Sequence, residues 1–300
     1  MQSVRFIFWV VLGLLVVPLP LPAQTLHFAP LPMQDAETVV REKRPMLEYL
    51  ARESGLDFEI EYSTGYAEIL DKFSAGEVDL AYLGPLPYVA LREQYEAAEP
   101  LVLFREPTGE ARYTCTVVMF ADDRVPLAEL HGKSVALTQP LSTCGYLATD
   151  HLLRGAGVHL AETEYRYLGR HDEVALAVAR GDFRGGGLKT HIAARYEHLG
   201  LVRLAETEPL PAFALVANAE TVPAELRQRL RDALLALDPQ RRSEDAEQVR
   251  DWGESLSHGA VPVEDADYAP VRRMLRGSPA LDPGMPGLSP VPLPGRGVAP

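Results

Sequence analysis

The segment from Thr138 to Tyr146 holds the residues of this sequence best suited to binding an anion. It reads Thr-Gln-Pro-Leu-Ser-Thr-Cys-Gly-Tyr, and it lies between a predicted strand and a predicted helix. The hydroxyls of Ser142 and Thr143 and the N–H groups up to Gly145 therefore fall at a helix N-terminus. Unpaired donors and the positive end of the helix dipole attract negative charge there. Taken alone, the same residues also fit an ordinary N-cap that bonds only its own helix.

Strands and helices alternate along the chain on both sides of this segment. The apolar spacing predicts, in order, a strand, a helix, a strand, a helix and a strand, at residues 26–31, 35–54, 57–62, 67–75 and 78–83. This order is typical of a mostly parallel sheet covered by helices. The alternation continues as far as residue 196, so a second α/β unit follows the first.

Two β-rich runs, around 113–118 and 212–217, bracket the second unit. If both runs cross between the units, the chain passes through a two-strand hinge and its C-terminal helices return to the first unit. We therefore predict two mixed α/β lobes around a cleft, where small-molecule sites are common, with a hinge that lets the cleft close. The predicted division gives 24–112 and 218–276 to lobe one, and 113–217 to lobe two.

The two ends of the chain differ from the lobes in composition. Arg5, an apolar run and the small residue Ala23 predict a cleaved secretory signal peptide over residues 1–23. The apolar run is shorter than the roughly 20 residues that a bilayer span needs. Residues 277–300 are rich in Pro and Gly, which predicts a disordered tail. We therefore expect an exported protein.

Charge and histidine spacing exclude several classes of partner. The net charge of −13 argues against nucleic acid and against an anionic membrane surface. A small anion is still compatible with that charge, because backbone N–H groups in a cleft set their own local field. The eight histidines show no metal-ligand spacing such as His-Glu-x-x-His. No metal and no other cofactor is therefore expected.

Five stretches carry a resemblance to a known family. They are Ser-Thr-Cys-Gly at 142–145, Ser-Thr-Gly-Tyr-Ala at 63–67, Gly-Glu-Val-Asp-Leu-Ala-Tyr-Leu-Gly-Pro at 76–85, Ala-Arg-Tyr at 111–113, and Gly-Arg-His-Asp at 169–172 with Ala-Leu-Ala-Val-Ala at 175–179. In this order they resemble the periplasmic phosphate-, phosphite- and phosphonate-binding proteins of ABC transporters. That family's anion-binding loop is Ser-Thr-Ser-Gly, so Cys144 stands where the second serine is common. The likeness runs from about Leu26 to Val271.

The resemblance implies a fold, a function and a ligand set. The fold is a two-lobe periplasmic-binding-protein fold of class II. The function is capture of a small oxyanion by a monomeric, non-enzymatic periplasmic protein that passes it to an ABC permease. The implied ligand contacts are Tyr66, Tyr113, Ser142, Thr143, Cys144, Gly145 and His171. Tyr and His donors suit anionic oxygens, although Tyr66 and Tyr113 could also be core aromatics and His171 a helix cap.

Two positions depart from the family pattern. His191 stands where binders of aminophosphonates place a carboxylate for the ligand's amine, so an aminoalkylphosphonate is a poor candidate ligand and a compact oxyanion is a better one. Cys115 lies two residues after Tyr113 and would share its face in a strand, so it could meet Cys144 near the anion loop. In an oxidising compartment such a pair predicts a disulfide. As free thiols, the pair could instead hold a thiophilic species such as arsenite.

Two other functions are compatible with these residues. A branch of the same family is thought to sense arsenic oxyanions, arsenite or arsenate, for a membrane histidine kinase, which would replace the permease as partner. A thiol hydrolase could use Cys144 as nucleophile and His171 as base. No carboxylate in a matching motif orients that histidine, so we expect no enzymatic activity.

Overall fold

The computed structural model describes residues 25–278, and strands alternate with helices through this range. The strands are β1 (Thr25–Pro30), β2 (Asp57–Ile60), β3 (Leu80–Leu83), β4 (Ala98–Phe104), β5 (Arg112–Tyr113), β6 (Cys115–Phe120), β7 (Ser134–Leu137), β8 (Glu164–Tyr167), β9 (Gly185–Lys189), β10 (Leu201–Glu206), β11 (Leu210–Pro211), β12 (Ala214–Asn218) and β13 (Ala260–Val261). The α-helices are α1 (Ala36–Ser54), α2 (Tyr66–Ser74), α3 (Pro85–Gln94), α4 (Thr149–Gly155), α5 (His171–Ala179), α6 (Thr190–Arg195), α7 (Ala224–Leu235), α8 (Ser243–Val249) and α9 (Ala269–Gly277). The predicted signal peptide lies outside the described residues. So does the predicted tail, apart from Gly277 and Ser278.

The strands form two mixed sheets and a short two-stranded ribbon. The six-stranded sheet has the order β13-β4-β12-β3-β1-β2, and the five-stranded sheet has the order β10-β6-β9-β7-β8. In the first sheet β1 is parallel to β2 and β3, while β12 is antiparallel to β3 and β4. In the second, β7 is parallel to β8 and β9, and β6 is antiparallel to β9. The predicted fold of two mixed α/β lobes is therefore confirmed.

The ribbon joins the two lobes. Its strands β5 and β11 are antiparallel, with Tyr113 opposite Leu210 and Arg112 opposite Pro211. The return crossing thus lies before the predicted run, because residues 214–217 belong to β12 in the first sheet. Every residue of β12 is buried, and a central strand buried on both faces reads as an unbroken apolar run.

The apolar core is continuous from one lobe to the other. The larger cluster of buried side chains extends from the first sheet across the cleft to β6, β7 and the helix that follows the anion loop. A smaller cluster packs the second sheet against α5 and includes Val118, Val174, Val178 and Leu188. The lobes are therefore in contact, in a closed arrangement. Within residues 25–278 no helix is both long and apolar enough to cross a membrane.

Candidate functional site

A small cavity lies between the lobes beside the hinge ribbon, with a volume of about 20 Å³. This is slightly more than a single water molecule requires. Its walls include six of the seven predicted ligand residues: Tyr66, Tyr113, Ser142, Thr143, Cys144 and His171. They also include six residues that were not among the predicted ligand contacts: Leu31, Met33, Gly84, Pro87, Lys189 and Phe213.

The anion loop ends in an unusually wide first helical turn. Residues 143–148 form a π-helical turn that continues into α4, and the carbonyl of Ser142 accepts from the N–H groups of both Tyr146 and Leu147 at 3.1 and 3.2 Å. The Ser142 Oγ accepts from the N–H of Gly145 at 3.0 Å, so Ser142 is an N-cap. A hydroxyl can accept and donate at once, so capping leaves the Ser142 proton free to be donated into the cavity.

Gly145, the seventh predicted ligand residue, lies behind the loop and does not line the cavity. A Cβ at this position would come within 1.9 Å of Thr138 Oγ1 and 2.8 Å of the Thr138 backbone nitrogen. Only a glycine lets the first helical turn approach the end of β7 so closely. Its side-chain-free backbone therefore supports the loop from behind.

Four helix N-termini converge on the cavity. Tyr66 and His171 are the first residues of α2 and α5, Gly84 is the N-cap of α3, and Ser142 caps the helix of the anion loop. Helix α3 begins at Pro85, and proline is well suited to the first position of a helix. Each N-terminus carries partial positive charge, so the four together favour an anion between them.

Two hydrogen bonds join the loop to lobe one across the cleft. The N–H of Leu86 donates to Thr143 Oγ1 at 3.0 Å, and the N–H of Tyr66 donates to Gln139 Oε1 at 3.4 Å. Both donors belong to the first turns of their helices, where backbone N–H groups have no partner inside the helix. These bonds help to hold the closed arrangement.

The two predicted tyrosines are buried donors. Burial raises the pKa of Tyr66 and of Tyr113 well above the ordinary value, and the hydroxyl of Tyr113 also contacts Thr143, which opposes its shift. Both phenols therefore stay protonated. The ring of Tyr113 lies 5.9 Å from that of Phe213, so it also packs as a core aromatic.

His171 presents a neutral imidazole to the cavity. Burial lowers its pKa to about 3, with Lys189 and His191 adding to the shift, while Asp172 opposes it. Its Nδ1 is buried, and no hydrogen-bond partner for it is found among residues 25–278. Arg170 is the N-cap of α5, so His171 does not cap the helix.

Lys189 is the cation of the cavity wall, and it is paired. Its Nζ lies 2.7 and 2.8 Å from the two carboxylate oxygens of Glu106, and both side chains are about nine-tenths buried. Burial lowers the pKa of Lys189, whereas Glu106 favours its charged form. The ammonium also lies 4.4 Å from the centre of the Tyr113 ring and 5.0 Å from that of Phe213. The fold thus places one compensated charge beside the predicted donors.

The predicted disulfide between Cys115 and Cys144 is present, and no cysteine within the described residues is free. It ties the anion loop to the start of β6. The loop is also packed tightly against β9, since a Cβ on Gly187 would lie 1.8 Å from Thr149 Oγ1 and 3.0 Å from the Cys144 carbonyl. A glycine in a strand permits such a close approach of the neighbouring backbone. The free-thiol alternative does not match this state of the protein.

A larger outer chamber of about 300 Å³ adjoins the cavity and shares Met33, His171, Lys189 and Phe213 with it. His191 lines this chamber, with its Nδ1 3.8 Å from Glu106 Oε2. Burial lowers the pKa of His191 to about 3, and Lys189 and Arg195 contribute to the shift. His191 is therefore neutral. No group of three or more His, Cys, Asp or Glu side chains within residues 25–278 could hold a metal ion.

The arrangement of two lobes, a two-strand hinge and an interlobe cavity defines a class of protein, the type 2 periplasmic binding proteins. The structure of PhnD1 from Prochlorococcus marinus in complex with methylphosphonate aligns with a TM-score of 0.71 at 16% identity, covering 85% of this chain and 98% of that one. A binding-protein component of an ABC phosphonate transporter from Pseudomonas aeruginosa gives 0.72 at 18% identity, covering 85% and 86%. At these identities the likeness concerns the fold.

The sequence comparison is more specific. A family model described as the periplasmic substrate-binding protein of phosphonate ABC transporters matches residues 28–268, and the chain belongs to this family. Its similarity extends to a phosphate-import protein, PhnD, of Mycolicibacterium smegmatis, which is 26% identical over 273 residues, covering 84% of this chain and 85% of the relative. The chain is thus a periplasmic binding component that works with an ABC permease, and it is not an enzyme.

Proposed function

We propose that this protein captures a compact tetrahedral oxyanion of phosphorus, namely phosphate, phosphite or a small phosphonate, in the interlobe cavity. The observation that carries the proposal is the convergence of four helix N-termini on a cavity lined by hydroxyls and one imidazole, with no carboxylate among its described lining residues. Such a wall offers donors to an anion without a repelling charge. The small volume favours a compact ligand.

In this proposal Ser142, Thr143, Tyr66, Tyr113 and His171 donate to the ligand oxygens. Cys144 stands where the family commonly has a serine, and its sulfur is bonded to Cys115. Cys144 therefore contributes its backbone N–H and not its side chain. The neutral His171 donates through one ring nitrogen, and its Nδ1 is buried with no hydrogen-bond partner among the described residues.

Binding is coupled to closure of the hinge. The anion first meets the loop at 142–145 on lobe two, and lobe one then closes with the first turns of α2 and α3. Closure adds the contacts of Leu86 to Thr143 and of Tyr66 to Gln139, so the ligand selects the closed state by differential contacts. The division into lobes at the β5–β11 ribbon belongs to the same proposal, with residues up to 112 and from about 212 moving together.

The partner is an ABC permease, and we propose that the mature protein, released after cleavage near Ala23, acts as a monomer. If the partner is instead a sensor kinase, the kinase would have to recognise the same closed state of this protein through a different surface. The thiol-based form of that alternative requires reduction of the Cys115–Cys144 disulfide before arsenite could bind.

The test is a thermal-shift and calorimetric panel on the mature protein with phosphate, phosphite, methylphosphonate, sulfate, arsenate and arsenite, each with and without reductant. A ligand that binds only the folded state raises the melting temperature. We expect a shift with a phosphorus oxyanion without reductant. A shift seen only with arsenite and only after reduction would replace the proposal by the thiol-based sensor.

The site assignment has its own test. Replacing Thr143 and His171 together by alanine removes two charge-assisted donors, so affinity should fall by about 100-fold. Thr108→Ala, on an exposed threonine far from the loop in sequence, is the matched control and should leave affinity unchanged. An unchanged affinity in the double variant would show that the anion binds elsewhere.

A further inference from the structure

The buried pair of Lys189 and Glu106 has no part in the hydrogen-bond set proposed above. Glu106 follows β4 in lobe one, and Lys189 ends β9 in lobe two, so the pair joins the lobes next to the hinge. Lys189 lines both the inner cavity and the outer chamber, whereas Glu106 lines neither. The ammonium therefore stands between the ligand space and the carboxylate.

A carboxylate at this depth would be the natural partner for a positively charged ligand group. Both oxygens of Glu106 are already bonded to the Lys189 Nζ, and the remaining nearby group, His191, is neutral and 3.8 Å away. Each oxygen keeps a further lone pair, but Lys189 lines the ligand space and Glu106 does not, so a ligand ammonium would reach the carboxylate only by displacing the lysine. Leaving one member of a buried ion pair without its partner is strongly unfavourable.

We propose that Lys189 is a built-in ammonium that makes this site specific for oxyanions without an amine. It is paired with the carboxylate that would otherwise bind the amine of an aminophosphonate. Two of its three N–H groups bond Glu106, which leaves one for the bound anion. This inference rests on the proposed function. It assigns the exclusion of amines to a particular side chain, in addition to the missing carboxylate at His191.

The carboxylates of the outer chamber offer no substitute for Glu106. Glu254 is ion-paired with Arg195, and Asp172 is paired with Arg170 at 3.3 Å. The Gln34 side-chain amide lies 3.3 Å from Glu42 when its nitrogen faces that carboxylate. An ammonium reaching the chamber would therefore have to displace an existing partner there as well. The charge of Lys189 adds direct repulsion, since like charges close together are unfavourable in a partly buried site.

The first test compares two ligands of nearly the same shape, ethylphosphonate and aminomethylphosphonate, which differ by exchange of a methyl group for an ammonium group. Wild-type protein should bind ethylphosphonate at least about 100-fold more tightly, because the amine meets Lys189 and finds no free carboxylate. Equal affinities within about threefold would overturn the inference. The inference would also be overturned if the protein bound phosphate or phosphite but neither of these two ligands, because the site would then select its ligand by size and not by charge.

Three variants assign that discrimination to Lys189. Lys189→Ala opens a space in front of Glu106, so the affinity ratio should move by about tenfold or more toward aminomethylphosphonate. Lys189→Met removes the repelling charge but keeps Glu106 covered, so the affinity ratio should move toward aminomethylphosphonate by less than in Lys189→Ala. In the charge-balanced double variant with Glu106→Gln, the gain from Lys189→Ala should disappear.

Each result separates this inference from the proposed function. If the wild-type protein binds no phosphorus oxyanion, the proposed function itself is wrong. A different outcome is that the wild-type protein binds a phosphorus oxyanion, that Thr143→Ala weakens this binding, and that the affinity ratio of the two ligands in Lys189→Ala equals that of the wild type. The proposed function then stands, and the role of Lys189 is wrong. Should Lys189→Ala fail to fold, the ligand ratio in Lys189→Met decides the question, because a ratio equal to that of the wild type would show that the charge of Lys189 does not exclude the amine.

Discussion

The two walls of the cavity are built in different ways. The wall from lobe two and the hinge carries nearly all the polar groups, namely Tyr113, Ser142, Thr143, His171 and Lys189. The wall from lobe one and the return of the hinge consists of Leu31, Met33, Gly84, Pro87, Phe213 and a single hydroxyl on Tyr66. One wall is therefore suited to recognising charge, and the other to excluding water when it closes.

The walls also differ in how they are fixed. The wall of lobe two is held by a disulfide and by two glycines that allow backbone contacts too close for any side chain. The wall of lobe one contacts it through two hydrogen bonds from first-turn N–H groups and, beside the hinge, through the Lys189–Glu106 ion pair. The difference indicates a preformed anion loop and a partner wall that moves, as hinge closure requires. Loosening the fixed wall should therefore cost more than altering the closing wall.

Removal of the disulfide should have the largest effect. Replacing Cys115 and Cys144 together by serine frees a cross-link between residues 29 apart in sequence, and loop entropy of this size contributes about 3.5 kcal/mol to the free energy of unfolding. Urea unfolding of the oxidised wild type and the double variant measures the loss. A reductant should destabilise the wild type and leave the variant unchanged. Equal stability of all these forms would mean that the loop does not depend on the cross-link.

Gly145→Ala tests the close approach behind the loop. The added methyl would overlap Thr138, so the first helical turn must shift, at a cost of about 2 kcal/mol, and the Ser142 cap moves with it. We expect both a lower melting temperature and weaker anion binding. Gly155→Ala, at the end of α4 with no atom within 4 Å of the new Cβ, is the matched control. If Gly145→Ala behaves like that control, the glycine is not required for packing.

Acid should weaken the same wall through His171. An unfolded histidine takes up a proton near pH 6.5, whereas burial lowers the pKa of His171 to about 3. The unfolded state therefore binds more protons between these values, and the free energy of unfolding falls as the pH drops through them. At pH 5 the neutral, buried state of His171 lowers the free energy of unfolding by about 2 kcal/mol. Unfolding of ligand-free wild type and His171→Gln from pH 7.5 to 5 should show a shallower loss in the variant, and parallel curves would contradict the neutral, buried state.

The wall of lobe two was largely predictable because its signal is local. A strand, a Ser-Thr pair and a helix follow one another within residues 134–155, so spacing alone places hydroxyls at a helix N-terminus. The pair of Lys189 and Glu106 was not predictable in this way. The two residues are 83 positions apart and meet only because β9 and the end of β4 both approach the hinge. Nothing in Leu-Lys-Thr-His at 188–191 distinguishes a buried ammonium from a surface lysine.

The wall of lobe one was much less predictable from the sequence. Phe213 lies in an apolar run that reads as a strand, and its contacts with the rings of Tyr82 and Tyr113 depend on where the chain leaves the hinge. Gly84 lies in the stretch at 76–85 that carries the family resemblance, but the sequence did not place it at the N-terminus of α3. Of the residues in this wall, only Tyr66 was named as a ligand contact before the fold was known, through its place in a family motif. It is also the position where this wall can be tested with the smallest change.

Tyr66→Phe removes the single hydroxyl that lobe one contributes to the cavity lining. The ring and its burial stay, so the free energy of unfolding should be unchanged, while the loss of one donor to an anion costs about 1 kcal/mol, or roughly fivefold in affinity. Calorimetry with the oxyanion identified in the panel measures the change, and Tyr95→Phe, on a tyrosine of the first lobe outside the cavity lining, is the control for loss of a phenol. A loss as large as that of the Thr143 and His171 double variant would mean that charge recognition is shared equally by the two walls. A fivefold loss would leave the polar wall of lobe two as the part that recognises the ligand, with the wall of lobe one closing over it.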